Sequence, residues 1–179
     1  ESGFQIQLPG QPRSMSRTVT PQKGLEITIH MYIVSLHEGR VALIAGYHDV
    51  PEPPATDAKR KEILDGGVNG TLVNVVGQLL THEEMEVEGC PGRRFTWRGS
   101  RKGREIAGQS QLVLNGRRVY QLSIIRLATM DADEKLSTRF FWLRRMIDSS
   151  TPSTVMPDRN SSKTECPVTI PLVFSSSMV

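Results

Sequence analysis

Cysteines and long apolar runs are scarce in this 179-residue chain. The two cysteines, Cys90 and Cys166, cannot form a disulfide framework, and neither has metal-ligand spacing to another Cys or His. Free thiols are the expected state. No run of 18 apolar residues occurs, so no segment is expected to cross a bilayer as a helix. The four histidines, His30, His37, His48 and His82, are never paired at i, i+2 or i, i+4. No metal site and no cofactor are therefore expected. The sequence begins at Glu1 without Met and shows no signal-peptide pattern. A trimmed chain is expected, which leaves a lost export signal or anchor open.

What the chain does have is charge sorted along its length. The net charge of +3 names no partner by itself. Between 93 and 118, however, Arg93, Arg94, Arg98, Arg101, Lys102, Arg104, Arg117 and Arg118 face one acid, Glu105. Just before them, Glu83, Glu84, Glu86 and Glu88 form an acidic patch. Such segregation orients a partner.

Strand patterning dominates. Phe4, Ile6 and Leu8 alternate with Gln5 and Gln7 up to Pro9-Gly10, which predicts a half-buried strand. Residues 14–20 predict a weaker strand between Pro12 and Pro21. Leu25, Ile27, Ile29, Met31 and Ile33 give the cleanest alternation, and the turn at His37–Arg40 leads into a strand over 41–50. That strand is apolar on both faces until Tyr47, which predicts a central position. A strand is predicted over 78–87. Pro91-Gly92 reads as a turn, and a meander follows with strands over 94–98, 104–114 and 117–127. The Asn115-Gly116 step predicts a type I′ hairpin that pairs Leu114 with Arg117.

Two helices are predicted. Thr56 or Asp57 caps the first, whose stripe runs through Ile63, Leu64, Val68, Leu72, Val75, Val76 and Leu79. Gly66, Gly67 and Gly70 weaken it, by about 1 kcal/mol each relative to Ala, and allow close packing on the sheet. Asp131 or Asp133 caps the second, with Leu136, Phe140, Leu143 and Ile147 on its buried stripe. From Ser149 the composition turns rich in Ser, Thr and Pro, which predicts a disordered tail over 149–179. Its Ile170–Phe174 run is apolar enough to dock as a stray strand. The fold class is α+β: one domain over 1–148, with an antiparallel sheet of about 6–8 strands and helices packed on its faces.

Several short motifs recur in a telling order. They are residues 4–12 (FQIQLPGQP), 45–51 (AGYHDVP), 63–67 (ILDGG), 88–94 (EGCPGRR), 115–122 (NGRRVYQL) and 140–143 (FFWL). Over about residues 4–148 this order resembles small exported bacterial proteins with a PsbP-like domain. That superfamily is named for an extrinsic photosystem subunit and includes a nuclear-import factor that binds a small GTPase. The resemblance implies an antiparallel sheet with helices on its faces. It implies no reaction, because the known members mostly bind other proteins.

Candidate chemistry is sparse. Tyr47-His48-Asp49 with Cys90 would supply a nucleophile, a base and an orienting acid for a hydrolase or transferase. No signature places Cys90 next to His48, and the preferred account is structural: Tyr47 packs at a sheet edge, His48-Asp49 leads into the proline turn and Cys90 sits in a turn. The basic loop with Arg98, Arg101, Lys102 and Arg104 would grip an acidic protein face or another anionic surface; a solubilising hairpin tip is its rival. Nucleic acid is not expected, since only Phe95, Trp97 and Tyr120 lie near for base stacking. Asn69-Gly-Thr71 and Asn160-Ser-Ser162 are formal glycosylation sequons, and chance accounts for both. The expected function is a non-enzymatic binding or accessory module for a protein partner outside the cytoplasm. Catalysis through Cys90 or His48, and binding of anionic surfaces through the basic hairpin, are the alternatives.

Overall fold

A computed structural model describes residues 6–22, 25–130 and 173–175. The expected second helix, Cys166, the second sequon and most of the tail lie outside the described residues. Nine strands and one helix are present among them: β1 (Gln7–Pro9), β2 (Arg13–Gln22), β3 (Leu25–Leu36), β4 (Val41–Asp49), α1 (Asp57–Asn74), β5 (Gln78–Val87), β6 (Cys90–Arg101), β7 (Arg104–Asn115), β8 (Arg118–Leu127) and β9 (Val173–Ser175). The class is α+β. Seven strands form one antiparallel sheet in the order β2-β3-β4-β8-β7-β6-β5. The short β1 and β9 pair with each other in parallel, apart from that sheet.

The order follows from the connections. Antiparallel hairpins join β2 to β3 and β3 to β4, and three more link β5, β6, β7 and β8 in turn. Helix α1 carries the chain from β4 across to the far edge, and β8 then returns to pair with β4. β4 is thus central, as its apolar composition predicts: Val41, Leu43 and Ala45 are buried.

Strand alternation sorts the side chains onto two faces. On one, Val34, Val41, Leu43, Ala45, Leu122 and Ile124 form a core with Ile6, just before β1, and Leu8, within it. On the other, α1 covers Phe95, Trp97, Leu112, Leu114 and Val119 with its Leu64 and Val68. Thr56 caps α1: its hydroxyl accepts from the Lys59 N–H at 3.2 Å. A side chain at Gly67 would start 2.7 Å from Leu112, so the glycine lets the helix sit close to β7. Gly66 and Gly70 face open space.

Three sequence expectations are corrected. The helix stops at Asn74, so Val75, Val76 and Leu79 are not part of its stripe. Val75 N–H bonds to Leu72 O, Val76 N–H to Val73 O and Gly77 N–H to Leu72 O, which closes the helix end. Pro91-Gly92 is not a turn: both lie within β6, and Glu88-Gly89 turns the chain instead, each with positive φ. The β7–β8 hairpin pairs Asn115 with Arg118 and Leu114 with Val119, not Leu114 with Arg117. Its central residues are Gly116 and Arg117, and only Gly116 has positive φ, the pattern of a type II′ turn.

Candidate functional site

The basic loop is the tip of the β6–β7 hairpin. Arg101 pairs with Arg104, and Lys102 and Gly103 turn the chain at φ 52 and 73. Two consecutive positive φ values mark a type I′ turn, whose twist matches the strands it joins. Three cations therefore stand on a four-residue tip. Arg98 lies further down β6, opposite Ala107 on one side and Gln78 on the other. Arg98, Arg101, Lys102 and Arg104 are all exposed, and no ion pair among the described residues joins any of them. Their one acidic neighbour in sequence is Glu105, which stands opposite Ser100.

The other end of the same hairpin ladder is built differently. Arg94 meets Glu83 on β5 at 3.1 Å. Arg93 is 4% exposed and runs under the helix. It donates to Asp65 of α1 at 3.0 Å and reaches Glu84 of β5 at 3.1 Å. Lys61 of α1 approaches the same Glu84 at 3.7 Å. Here cations and acids are spent on joining helix, edge strand and sheet. The acidic patch of the sequence is in part the counter-charge of Arg93 and Arg94.

Tyr47-His48-Asp49 is divided by the alternation of β4. Tyr47 and Asp49 point to one face, and His48 lies between them on the other. On the first face Arg118 grips Asp49 with two bonds, at 2.6 and 2.9 Å, and its guanidinium lies 4.7 Å from the Tyr47 ring centre. His30 stacks on Tyr47 at 4.7 Å, and Ser16 Oγ is 3.0 Å from His30 Nδ1. The hydrogen bond from Arg118 holds the Asp49 carboxyl below its usual range. Burial pushes the Tyr120 hydroxyl up and the His48 imidazole down. Cys90 is wholly buried at the start of β6. His30 and His48, on adjacent strands, face opposite sides, because His30 pairs with Tyr47. No group of three or more His, Cys, Asp or Glu able to hold an ion occurs among the described residues.

Two arrangements escape sequence reasoning. One is the row Ser16, His30, Tyr47 and Tyr120, which register alone aligns across four strands. The other is a buried polar chain beneath α1. Trp97 Nε1 donates to Ser110 Oγ at 3.1 Å, Ser110 and Ser123 hydroxyls lie 2.8 Å apart, and Gln121 bonds to both Ser123 and Thr71. These serines satisfy the indole N–H inside an apolar layer, as a buried donor requires. The signal for both lies in strand pairing, which adjacent residues do not reveal. Asn69 of the first sequon is exposed on α1.

No helix among the described residues is long and apolar enough to cross a membrane. No family model and no curated protein matches this chain. Among solved structures, a protein of unknown function from Pseudomonas aeruginosa is similar over 78% of this chain and 99% of its own, with 10% identity and a TM-score of 0.45.

Proposed function

We propose that the chain is a non-enzymatic binding module that works outside the cytoplasm and meets an acidic protein partner with the basic β6–β7 hairpin. The observation that carries this reading is the state of the hairpin cations. Arg101, Lys102 and Arg104 crowd the tip, Arg98 stands three residues below it, and none has an ion pair among the described residues, whereas Arg93, Arg94 and Arg118 are each matched to a carboxylate. Unmatched charge of one sign projects a field that speeds and orients encounter with the opposite sign. The PsbP-like resemblance supports both a binding role and an exported setting. A catalytic reading would need His48 and Asp49 to converge, and they leave β4 on opposite faces.

The test is reversal of Arg101 and Lys102 to Glu, followed by pull-down from a native extract over a range of salt. Loss of the wild-type partners is expected. Capture by the wild type should also weaken as salt rises, because the Debye length falls from about 10 Å at 0.1 M to about 3 Å at 1 M. Equal recovery by the variant, with the same salt dependence, would reduce the hairpin to a solubilising tip.

A further inference from the structure

The basic hairpin has an apolar neighbour. Of the large hydrophobic side chains exposed among the described residues, Val73 (78%), Val76 (82%), Leu79 (36%) and Leu80 (52%) fall within eight consecutive positions. They span the last turn of α1, the link that follows it and the first residues of edge strand β5. This link is fastened to the basic hairpin. The Ser100 N–H donates to Val75 O at 2.7 Å. A side chain at Gly99 would meet Val75 O at 2.4 Å and Gly77 Cα at 2.9 Å, so the two backbones touch. Gln78 pairs with Arg98. At about 3.3 Å per residue, the hairpin tip lies about 10 Å beyond Arg98. Four exposed aliphatic side chains and four cations without an ion pair among the described residues therefore share one end of the sheet.

Val76 marks the place further. It sits at φ 45, in the left-handed region that β-branched residues avoid. Glycine is the usual residue just past a helix end with this bonding pattern. Here a strained valine is held out into solvent instead.

We infer that this end of the sheet binds a protein segment in which acidic residues flank aliphatic ones: Val73, Val76, Leu79 and Leu80 would form the dry centre, and Arg98, Arg101, Lys102 and Arg104 the charged margin. The inference rests on the proposed binding function and names its partner's chemistry. An apolar centre with a polar rim is the ordinary anatomy of a protein interface. The rim carries four positive charges, and its complement is acidic. The first residues of β5, Gln78-Leu79-Leu80-Thr81, are uncharged, while further along that edge Glu83 and Glu84 are held by Arg94, Arg93 and Lys61. An arriving segment thus meets aliphatic surface and cations together at one end and charge already matched at the other.

The test is selection of a random dodecapeptide library on the full chain, with enriched peptides then measured on Val76→Asp/Leu80→Asp and Arg101→Glu/Lys102→Glu. Enriched peptides should combine acidic and aliphatic residues and bind each double variant at least tenfold more weakly. Loss on the charge variant alone would overturn this inference and leave the proposed function standing. Equal binding to both variants, or no acidic-aliphatic enrichment, would overturn the inference as well. Vesicles of phosphatidylcholine with 30% phosphatidylserine provide the last arm. Binding to them, abolished in both variants and without peptide enrichment, would assign the surface to a membrane and refute the inference. Circular dichroism of each variant keeps misfolding apart from lost binding.

Discussion

The two ends of the β5–β6 hairpin ladder carry similar charge in different states. At the end near the Glu88-Gly89 turn, Arg93 and Arg94 are held by Asp65, Glu83 and Glu84. At the other, Arg98, Arg101, Lys102 and Arg104 point into solvent with no ion pair among the described residues. Proximity in sequence hides this. Read linearly, all these cations form one basic segment; in three dimensions two of the six are structural fastenings. Only the four without an ion pair among the described residues have charge to offer a partner. The α1 C-terminus, with no basic residue in its last turn, lies beside those four through the Ser100–Val75 bond. A rival role for these cations is to balance the helix dipole, an effect worth about 0.3–1 kcal/mol per exposed charge. That rival is separable, because it moves stability and leaves partner capture alone.

The largest expected effect lies at the matched end. Arg93→Ala removes a buried guanidinium that ties α1 to β5 and β6. A loss of about 2–3 kcal/mol is expected in a urea melt, below the 3–5 of a fully buried broken pair, because Asp65 and Glu84 can turn to water. A loss under 0.5 kcal/mol would show that the network does not fasten the helix. At the opposite end, Val76→Gly should raise stability by about 1 kcal/mol through relief of the left-handed strain. A destabilised variant would mean that Val76 contributes contacts that outweigh its backbone.

Acid titration sharpens the contrast from a third position. His48 has a lowered pKa through burial, so its contribution is complete above the ordinary value near 6.5 and is lost as pH falls below it. Asp49 is held down by its bond to Arg118; its contribution is complete above about 4 and is lost as pH falls through the lowered value. Melts at stepped pH should show both declines. His48→Gln should remove the upper one and Asp49→Asn the lower, at a cost for the latter of about 1 kcal/mol at neutral pH, since the carboxylate is partly exposed. An unaltered profile in Asp49→Asn would deny the Asp49–Arg118 pair a role in folding. The smallest effect belongs to the tip: Arg101→Glu with Lys102→Glu should shift stability by no more than about 0.5 kcal/mol, as exposed substitutions usually do. A larger loss would favour the helix-balancing role.

Local patterns in the sequence carry the sheet. The alternation of Leu25, Ile27, Ile29, Met31 and Ile33 and the apolar run after Val41 place β3 and β4, and Thr56 caps the helix as its residue type predicts. Turn positions are where reading fails. Asn115-Gly116 is the favoured type I′ pair, yet Gly116-Arg117 forms the turn, because Gly can also open a type II′ turn with almost any residue after it. Glu88-Gly89 escapes notice because Glu seldom takes positive φ, and the nearby Pro91-Gly92 carries the more familiar turn signal. The helix end is overrun for a related reason: Val75 and Val76 continue the apolar spacing, and the breaking glycine comes only at Gly77. The basic tip is legible in composition. Its aliphatic neighbour is not, since Val76 and Leu79 read as part of the buried helix stripe until the helix is seen to stop at Asn74.

Hydrogen exchange on the full chain, with and without the captured partner, tests the difference between the two ends most directly. Added protection is predicted over 75–81 and 98–104, where exposed aliphatics and unmatched cations adjoin, with little change over 83–94. Protection confined to 83–94, or none near the hairpin tip, would contradict the account and place the binding face elsewhere.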